Sequence, residues 1–327
     1  MGRLKLYILL VLMSLFILRA KAQQTIQFSQ YMFNGLALNP AYAGYKEDLT
    51  VNLSDRLQWV GINDAPQTAT ASVDGLVNQD NKNIGLGLIA TLDQLGPESS
   101  SSIYANYAYR LRLDELDTKR LCFGFAVGAM QYSLNGSKFI ATDADDGSVP
   151  TGTESKFTPD FRFGIYYYSP SVYFGASVFN LLSGAFNNFD DDPQVIKPVR
   201  TVYVTGGTMI PLSEYIDLKP SFMIQEDFKG PTNIDISSYL ALNKLLWFGA
   251  AYRTGIAVWN KNLQSNLDEQ DAAAAIFQFY INDHFRIGYA YDFTLSKLAA
   301  YQSGTHEISL SISFPGKKAR VISPRYF

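Results

Sequence analysis

One cysteine and two histidines in 327 residues exclude several familiar chemistries. Cys122 alone rules out an intramolecular disulfide framework. Neither His284 nor His306 accompanies a G-x-S-x-G elbow, and a hydrolase needs a base within hydrogen-bond reach of its serine, so no catalytic residue is assigned. No phosphate loop, dinucleotide fingerprint or Cys/His cluster occurs, and no cofactor is expected. Charged residues make up only 17%, and a formal charge of −3 gives no electrostatic footprint for nucleic acid. Long apolar runs are scarce too. Only Tyr7–Leu18 qualifies, broken once by Ser14, which excludes a polytopic helical membrane protein. What abounds is aromatic: 21 Tyr and 22 Phe, against the composition of a disordered chain.

The apolar run belongs to an export signal. Arg3 and Lys5 precede it, and Ala20 and Ala22 supply the small residues a signal peptidase reads. Cleavage is expected before Gln23, so residues 1–22 are a signal peptide. Their removal takes away four cations and no acids, moving the formal charge from −3 to −7.

The remaining chain alternates with period two. Ile103, Ala105, Tyr107, Tyr109, Leu111 and Leu113 share one parity; Tyr104, Asn106, Ala108, Arg110 and Arg112 share the other. That is a strand with one apolar and one polar face. Leu121, Phe123, Phe125 and Val127 repeat the pattern against Cys122, Gly124, Ala126 and Gly128. Near the C-terminus Phe285–Thr294 and Glu307–Phe314 do the same. Weaker versions occupy 48–58, 68–77, 84–92, 161–168, 172–180, 201–210, 216–225, 233–242, 245–258 and 271–281. Fourteen candidate strands result.

Period alone does not separate a soluble sandwich from a membrane barrel, which turns its apolar face to lipid and its polar face to the lumen. The connections do. Those at 59–67, 93–102, 135–160, 181–200, 226–232, 259–270 and 295–305 are mostly long. Those at 78–83, 114–120, 169–171, 211–215, 243–244 and 282–284 are short. Short periplasmic turns alternating with longer outer loops mark outer-membrane barrels. The expected fold is therefore all-β: a transmembrane barrel of about fourteen antiparallel strands over 48–314, with a periplasmic tail at 315–327. Tyr107, Tyr109, Tyr166, Tyr167, Tyr289 and Tyr291 are expected in its aromatic girdles.

The segment 23–47 before the first strand is too irregular to be one. Asn34-Gly35 and Asn39-Pro40 are turn signals, while Tyr31, Met32, Phe33, Leu36 and Tyr42 need burial. It is expected to tuck inside or under the barrel mouth as a plug or platform. There it either fills the lumen or meets a partner. Candidate residues for those roles are Tyr31, Met32, Phe33, Asn34, Asn39, Pro40, Tyr42 and Gly44. Arg56 and Trp59 join them, as a cation–π pair or as lumen packing.

The run Phe28-Ser29-Gln30-Tyr31-Met32-Phe33-Asn34, continued by Asn39-Pro40-Ala41-Tyr42-Ala43-Gly44 and by Arg56-Leu57-Gln58-Trp59, closely resembles the start of the PorP/SprF family of outer-membrane proteins. Looser similarity continues to His306-Glu307-Ile308-Ser309-Leu310. The resemblance implies an outer-membrane β-barrel associated with type IX secretion or gliding motility. It also implies partners: a secreted adhesin or other cargo, periplasmic ring or peptidoglycan-binding components, and outer-membrane lipid. A channel for small hydrophobic solutes is the alternative. No catalytic residues come with the family.

Two acidic stretches, Asp143–Gly147 with Glu154 and Asp190–Asp192, fall in outer loops. The first departs from the EF-hand spacing by one place, so no metal site is assigned. Lys317, Lys318, Arg320 and Arg325 make the tail basic, and either Phe314 or Phe327 serves as the terminal aromatic. The barrel reading makes a simple demand. The exported protein should sediment with membranes, need detergent for extraction, and migrate faster on a gel before boiling than after; solubility in plain buffer would refute it.

Overall fold

A computed structural model describes residues 26–138, 152–183, 198–256, 258 and 272–316. The expected signal peptide, both acidic stretches except Glu154, and the basic tail lie outside the described residues.

Alternating residues produce strands in the order the sequence predicts. They are β1 (Leu49–Leu57), β2 (Gln67–Leu76), β3 (Ile84–Leu95), β4 (Glu98–Arg112), β5 (Arg120–Asn135), β6 (Thr153–Tyr168) and β7 (Val172–Phe179). Then follow β8 (Thr201–Thr208), extended past Met209 by Ile210–Pro211, β9 (Ile216–Glu226), β10 (Thr232–Leu242) and β11 (Leu246–Ile256). β12 (Ala272–Tyr280), β13 (Phe285–Thr294) and β14 (Thr305–Phe314) complete the set. Each pairs antiparallel with its neighbours in sequence, and β1 pairs with β14 from Leu49 opposite Phe314 to Leu57 opposite His306. Among the described residues the wall is thus a closed fourteen-stranded barrel. Among them, too, no helix is long and apolar enough to cross a membrane; the strands do so.

The two parities separate cleanly. Leu53, Leu86, Leu88, Ile103, Phe123, Phe125, Val127, Ile287 and Ile308 point outward and are exposed. Thr70, Ser72, Asn106, Arg110, Lys219, Ser221, Gln278 and Ser309 point inward and are buried. On the outer surface Tyr107 stacks on Phe125, which stacks on Phe161, with ring centres 5.2 and 6.0 Å apart.

One end of the barrel carries the start of β1 and the end of β14. Its connections, such as 77–83, 169–171 and 281–284, are short, as expected. The far end carries the longer ones, with a correction at two connections: residues 153–160, expected inside the 135–160 loop, form the start of β6. The expected loop at 93–102 is a tight turn at Gly96-Pro97 between long strands, with Gly96 at φ +59°. β4, β5 and β6 have 15, 16 and 16 residues, well beyond the ~10 that cross a bilayer. Their far ends present Ser99, Ser101, Gln131, Ser133 and Ser155 outward. Above the acyl band an outward face need not be apolar, so Glu98–Ser102 reads as loop while forming strand.

A second correction concerns Tyr166. It faces the lumen and is buried, not placed in a girdle. In Ile165-Tyr166-Tyr167-Tyr168 both parities are apolar, and the pattern alone does not choose a face. Among the girdle residues, Tyr109 and Tyr289 are exposed outward as expected.

The outward band should behave as a lipid contact. Phe125→Arg is expected to destabilise the barrel by about 2–4 kcal/mol, whereas Ser101→Arg on the same sheet should cost about 0–1 kcal/mol. Reversible denaturant unfolding from lipid vesicles measures both, and equal effects would place both residues in water.

Candidate functional site

The segment 26–48 runs inside the lumen from the far mouth to the near end. It is built of single turns: a 3-10 turn at Tyr31–Phe33, one α-turn at Gly35–Leu38 and a 3-10 turn at Pro40–Tyr42. Asn39 caps the last, its side-chain oxygen accepting from the Ala41 N–H at 2.9 Å, and Pro40 sits at the first position, where its missing N–H costs nothing. Nearly every side chain from Gln27 to Tyr45 is buried. The hydrophobic core of this protein is this plug together with the aromatic residues the wall turns inward.

At the far mouth the plug is held by charge. The Arg56 guanidinium donates to Asp292 at 2.8 Å, to Glu307 at 3.1 Å and to the Ser29 hydroxyl at 2.7 Å. Glu307 accepts the Ser29 and Gln30 backbone N–H groups at 2.7 and 3.0 Å, and Ser29 Oγ donates to Asp292 at 2.6 Å. Arg253 extends the cluster, donating to Asp235 at 2.8 Å and to the Phe28 carbonyl at 3.4 Å. Three carboxylates and two guanidiniums therefore close around two backbone N–H groups of the plug.

Midway, the Tyr31 hydroxyl lies 3.1 and 3.0 Å from the Ser221 and Ser237 hydroxyls, and Ser221 also reaches the Met32 sulfur at 2.8 Å. Phe33 meets Tyr239 and Trp247 edge-on, with the Arg286 guanidinium 4.6 Å from its ring centre. Asn34 donates to Thr70 at 3.2 Å.

Toward the near end the plug backbone touches the wall. Asn39 donates to the Ile165 and Ala176 carbonyls at 2.9 and 3.3 Å. A Cβ at Gly85 would collide with the Ala43 carbonyl, and one at Gly124 with the backbone of Pro40 and Ala41. The small inward residues of those strands are there to admit the plug. Tyr42 and Tyr45 pack on Tyr166, and Tyr45 on Tyr168, with ring centres 4.8–5.7 Å apart. Gly44, at φ +72°, donates to Asp74 at 2.8 Å, and Lys82 pairs with Glu47 at 2.6 Å. Burial, then the facing Arg286, pulls the Lys46 ammonium down to about 8.

Of the ten residues singled out in the sequence, Tyr31, Met32, Phe33, Asn34, Asn39, Pro40, Tyr42, Gly44 and Arg56 meet in this one lumen. Trp59 does not. It lies half-buried in a far-end turn at φ +51°, its N–H donating to Thr305, and among the described residues it makes no cation–π contact with Arg56. Reading the sequence missed Ser29, Asp235, Arg253, Asp292 and Glu307. Their only signal is a charged residue on the polar parity of a strand, and nothing in linear spacing says which of them meet. His306 is at the outer surface, bonded to the Tyr289 hydroxyl, and His284 is in a near-end turn. Among the described residues no group of three or more His, Cys, Asp or Glu is arranged to hold a metal.

One family model, described as type IX secretion system membrane protein PorP/SprF, matches residues 20–312. Two solved structures are similar in fold. The CymD monoaromatic hydrocarbon channel has a TM-score of 0.52 at 12% identity, covering 89% of this chain and 94% of that one. The Ralstonia pickettii toluene transporter TbuX has a TM-score of 0.51 at 10% identity, covering 88% and 94%. Comparison with curated protein sequences gave no match.

The ion cluster sets an expectation for the plug. Arg56→Ala strands Asp292 and Glu307 without their cation and should cost about 3–5 kcal/mol, while adding Asp292→Asn and Glu307→Gln should recover part of it. Thermal migration shifts measure stability, and protease cleavage within 26–48 measures release; a silent Arg56→Ala would mean the cluster does not hold the plug.

Proposed function

Because the chain belongs to the PorP/SprF family of type IX secretion system membrane proteins, we propose that this outer-membrane barrel works as an anchor. Its far mouth and outer loops hold the terminal domain of a secreted adhesin or other type IX cargo at the cell surface. Its short near-end turns face the periplasm and contact secretion-ring or peptidoglycan-binding components, which would also suit a part in gliding.

The filled lumen carries this reading. Residues 26–48 occupy the barrel from one end to the other, fixed by the Arg56–Asp292–Glu307 cluster at one end and by the Tyr42–Tyr45–Tyr166 rings at the other. A barrel so closed is suited to holding and poorly suited to conducting. The strands that rise above the acyl band add a rigid polar surface on the side where cargo arrives. The family is a secretion-system family rather than an enzyme family, and no reaction is proposed.

A second reading is a channel for small hydrophobic solutes. It draws on what the two barrels of similar fold are named for and on a partly aromatic cavity at the far mouth. The plug stands against it.

Affinity isolation of the tagged barrel from its own cells under mild detergent is expected to recover a large exported protein together with periplasmic components. Recovery of the bare barrel would overturn the anchoring reading. In planar bilayers the protein should be silent, and conductance steps from the intact chain would favour the channel.

A further inference from the structure

Beside the ion cluster, at the far mouth, lies a cavity of about 240 Å³ that the anchoring reading leaves without a role. A dry cavity of about 150 Å³ takes benzene, so this one has room for a substituted ring or a short side chain. Ile26 and Phe28 of the plug line one side; Tyr132, Phe179 and Tyr203 from β5, β7 and β8 line the other. Phe179 and Tyr203 stand edge to face, 5.0 Å between ring centres.

The charges around it are unequal. The cation among the lining residues is Arg162, and it is already engaged. Its guanidinium carbon sits 3.3 Å from the Tyr104 ring centre and 4.2 Å from that of Phe179, and it pairs with Asp160 at 3.5 Å. Two rings and one carboxylate thus stand against it, although its Nε hydrogen has no hydrogen-bond acceptor. On the acidic side are Asp93, Glu98 and Asp227. Asp227 is turned to its own loop, accepting the Lys229 and Gly230 N–H groups. Among the described residues Asp93 accepts one side-chain hydrogen bond, from Thr68. Glu98 is half-buried, and among the described residues no side-chain donor meets it. The cavity thus joins aromatic walls to carboxylate oxygens with spare acceptor capacity, and its described lining carries three acidic side chains against one basic one.

We propose that this cavity binds an ammonium group carried on a compact apolar stem, with Glu98 and Asp93 taking the charge and Phe28, Tyr132 and Tyr203 taking the stem. Such a group comes either as a free arylalkyl- or alkylamine or as a lysine side chain of a protein at the cell surface. The assignment rests on the cavity alone and is independent of the anchoring role. Loss of cargo recovery with amine binding intact would leave it standing.

The full-length barrel in lipid nanodiscs, titrated calorimetrically against empty nanodiscs, tests it with a matched series: phenethylamine, phenylpropionate and propylbenzene, plus lysine blocked at both backbone ends. Phenethylamine or blocked lysine is expected to bind at least about tenfold more tightly than phenylpropionate, the discrimination of a charge-assisted hydrogen bond. The tighter of the two cations identifies the source as free amine or side chain. The Asp93→Asn, Glu98→Gln double variant should abolish the preference while keeping heat-modifiable migration. If that variant does not fold, raising the salt concentration on the unaltered protein should weaken the cations and leave propylbenzene unchanged. Equal or tighter binding of the anion or the hydrocarbon, or no binding by any probe, overturns the proposal.

Discussion

A strand that crosses hydrocarbon has no water to satisfy its backbone, so every N–H and C=O in the wall must find a partner on a neighbouring strand. That requirement is met here where β1 takes up β14, nine residues in register from Leu49 opposite Phe314 to Leu57 opposite His306. Once the sheet closes, the period of two has a fixed meaning. One parity meets acyl chains and the other meets a lumen. A barrel of this width leaves an interior that side chains alone do not fill, and the segment before β1 fills it. Closure, plug and the separation of the two faces follow from the same demand.

The plug inverts the usual relation between core and surface. Leu and Phe residues of the wall are spent on lipid, so the buried apolar contacts come from Tyr31, Phe33, Leu36 and Tyr42 against Tyr166, Tyr239 and Trp247. Glycine and serine on the inward face then have a purpose. Gly85 and Gly124 let the plug backbone touch the wall, and Ser221 and Ser237 receive the Tyr31 hydroxyl. The ion cluster at the far mouth plays another part. Buried ion pairs gain little net stability, since desolvation offsets their attraction. What they supply is position: Glu307 accepts two consecutive plug N–H groups, and only one placement of Ser29 and Gln30 satisfies it.

Alternation makes the wall legible in the sequence itself. All fourteen strands occur in the order the pattern gives, because a lipid-facing residue must be apolar and its neighbours must not be; β4 and β6 begin earlier than it shows. The pattern lapses where that pressure lapses. Glu98–Ser102 stands above the acyl band, and Ile165–Tyr168 is apolar on both faces because one face meets lipid and the other meets Tyr42 and Tyr45. The plug was legible as a buried irregular segment from Asn34-Gly35, Asn39-Pro40 and the aromatic residues around them. Its partners were not. Arg56 is 236 residues from Asp292 and 251 from Glu307, and strand periodicity gives each a face without giving its depth or the strand it meets across the lumen.

The likeness to hydrocarbon channels is a likeness of wall, and the wall is the part of this molecule least able to specify function. Any fourteen-stranded barrel of this length must share its closure, its alternation and its outward band. What differs between such barrels is what stands inside. Clearing this lumen means withdrawing Ser29 and Gln30 from Glu307, parting Arg56 from Asp292, and exposing the Phe33 and Tyr42 packing to water. The first of these alone uncovers buried charge, at a cost of several kcal/mol. A small apolar solute gains too little from a 240 Å³ cavity to drive that change and still leave again. Passage along the axis would therefore require the plug to be released, and the anchoring proposed above leaves it in place.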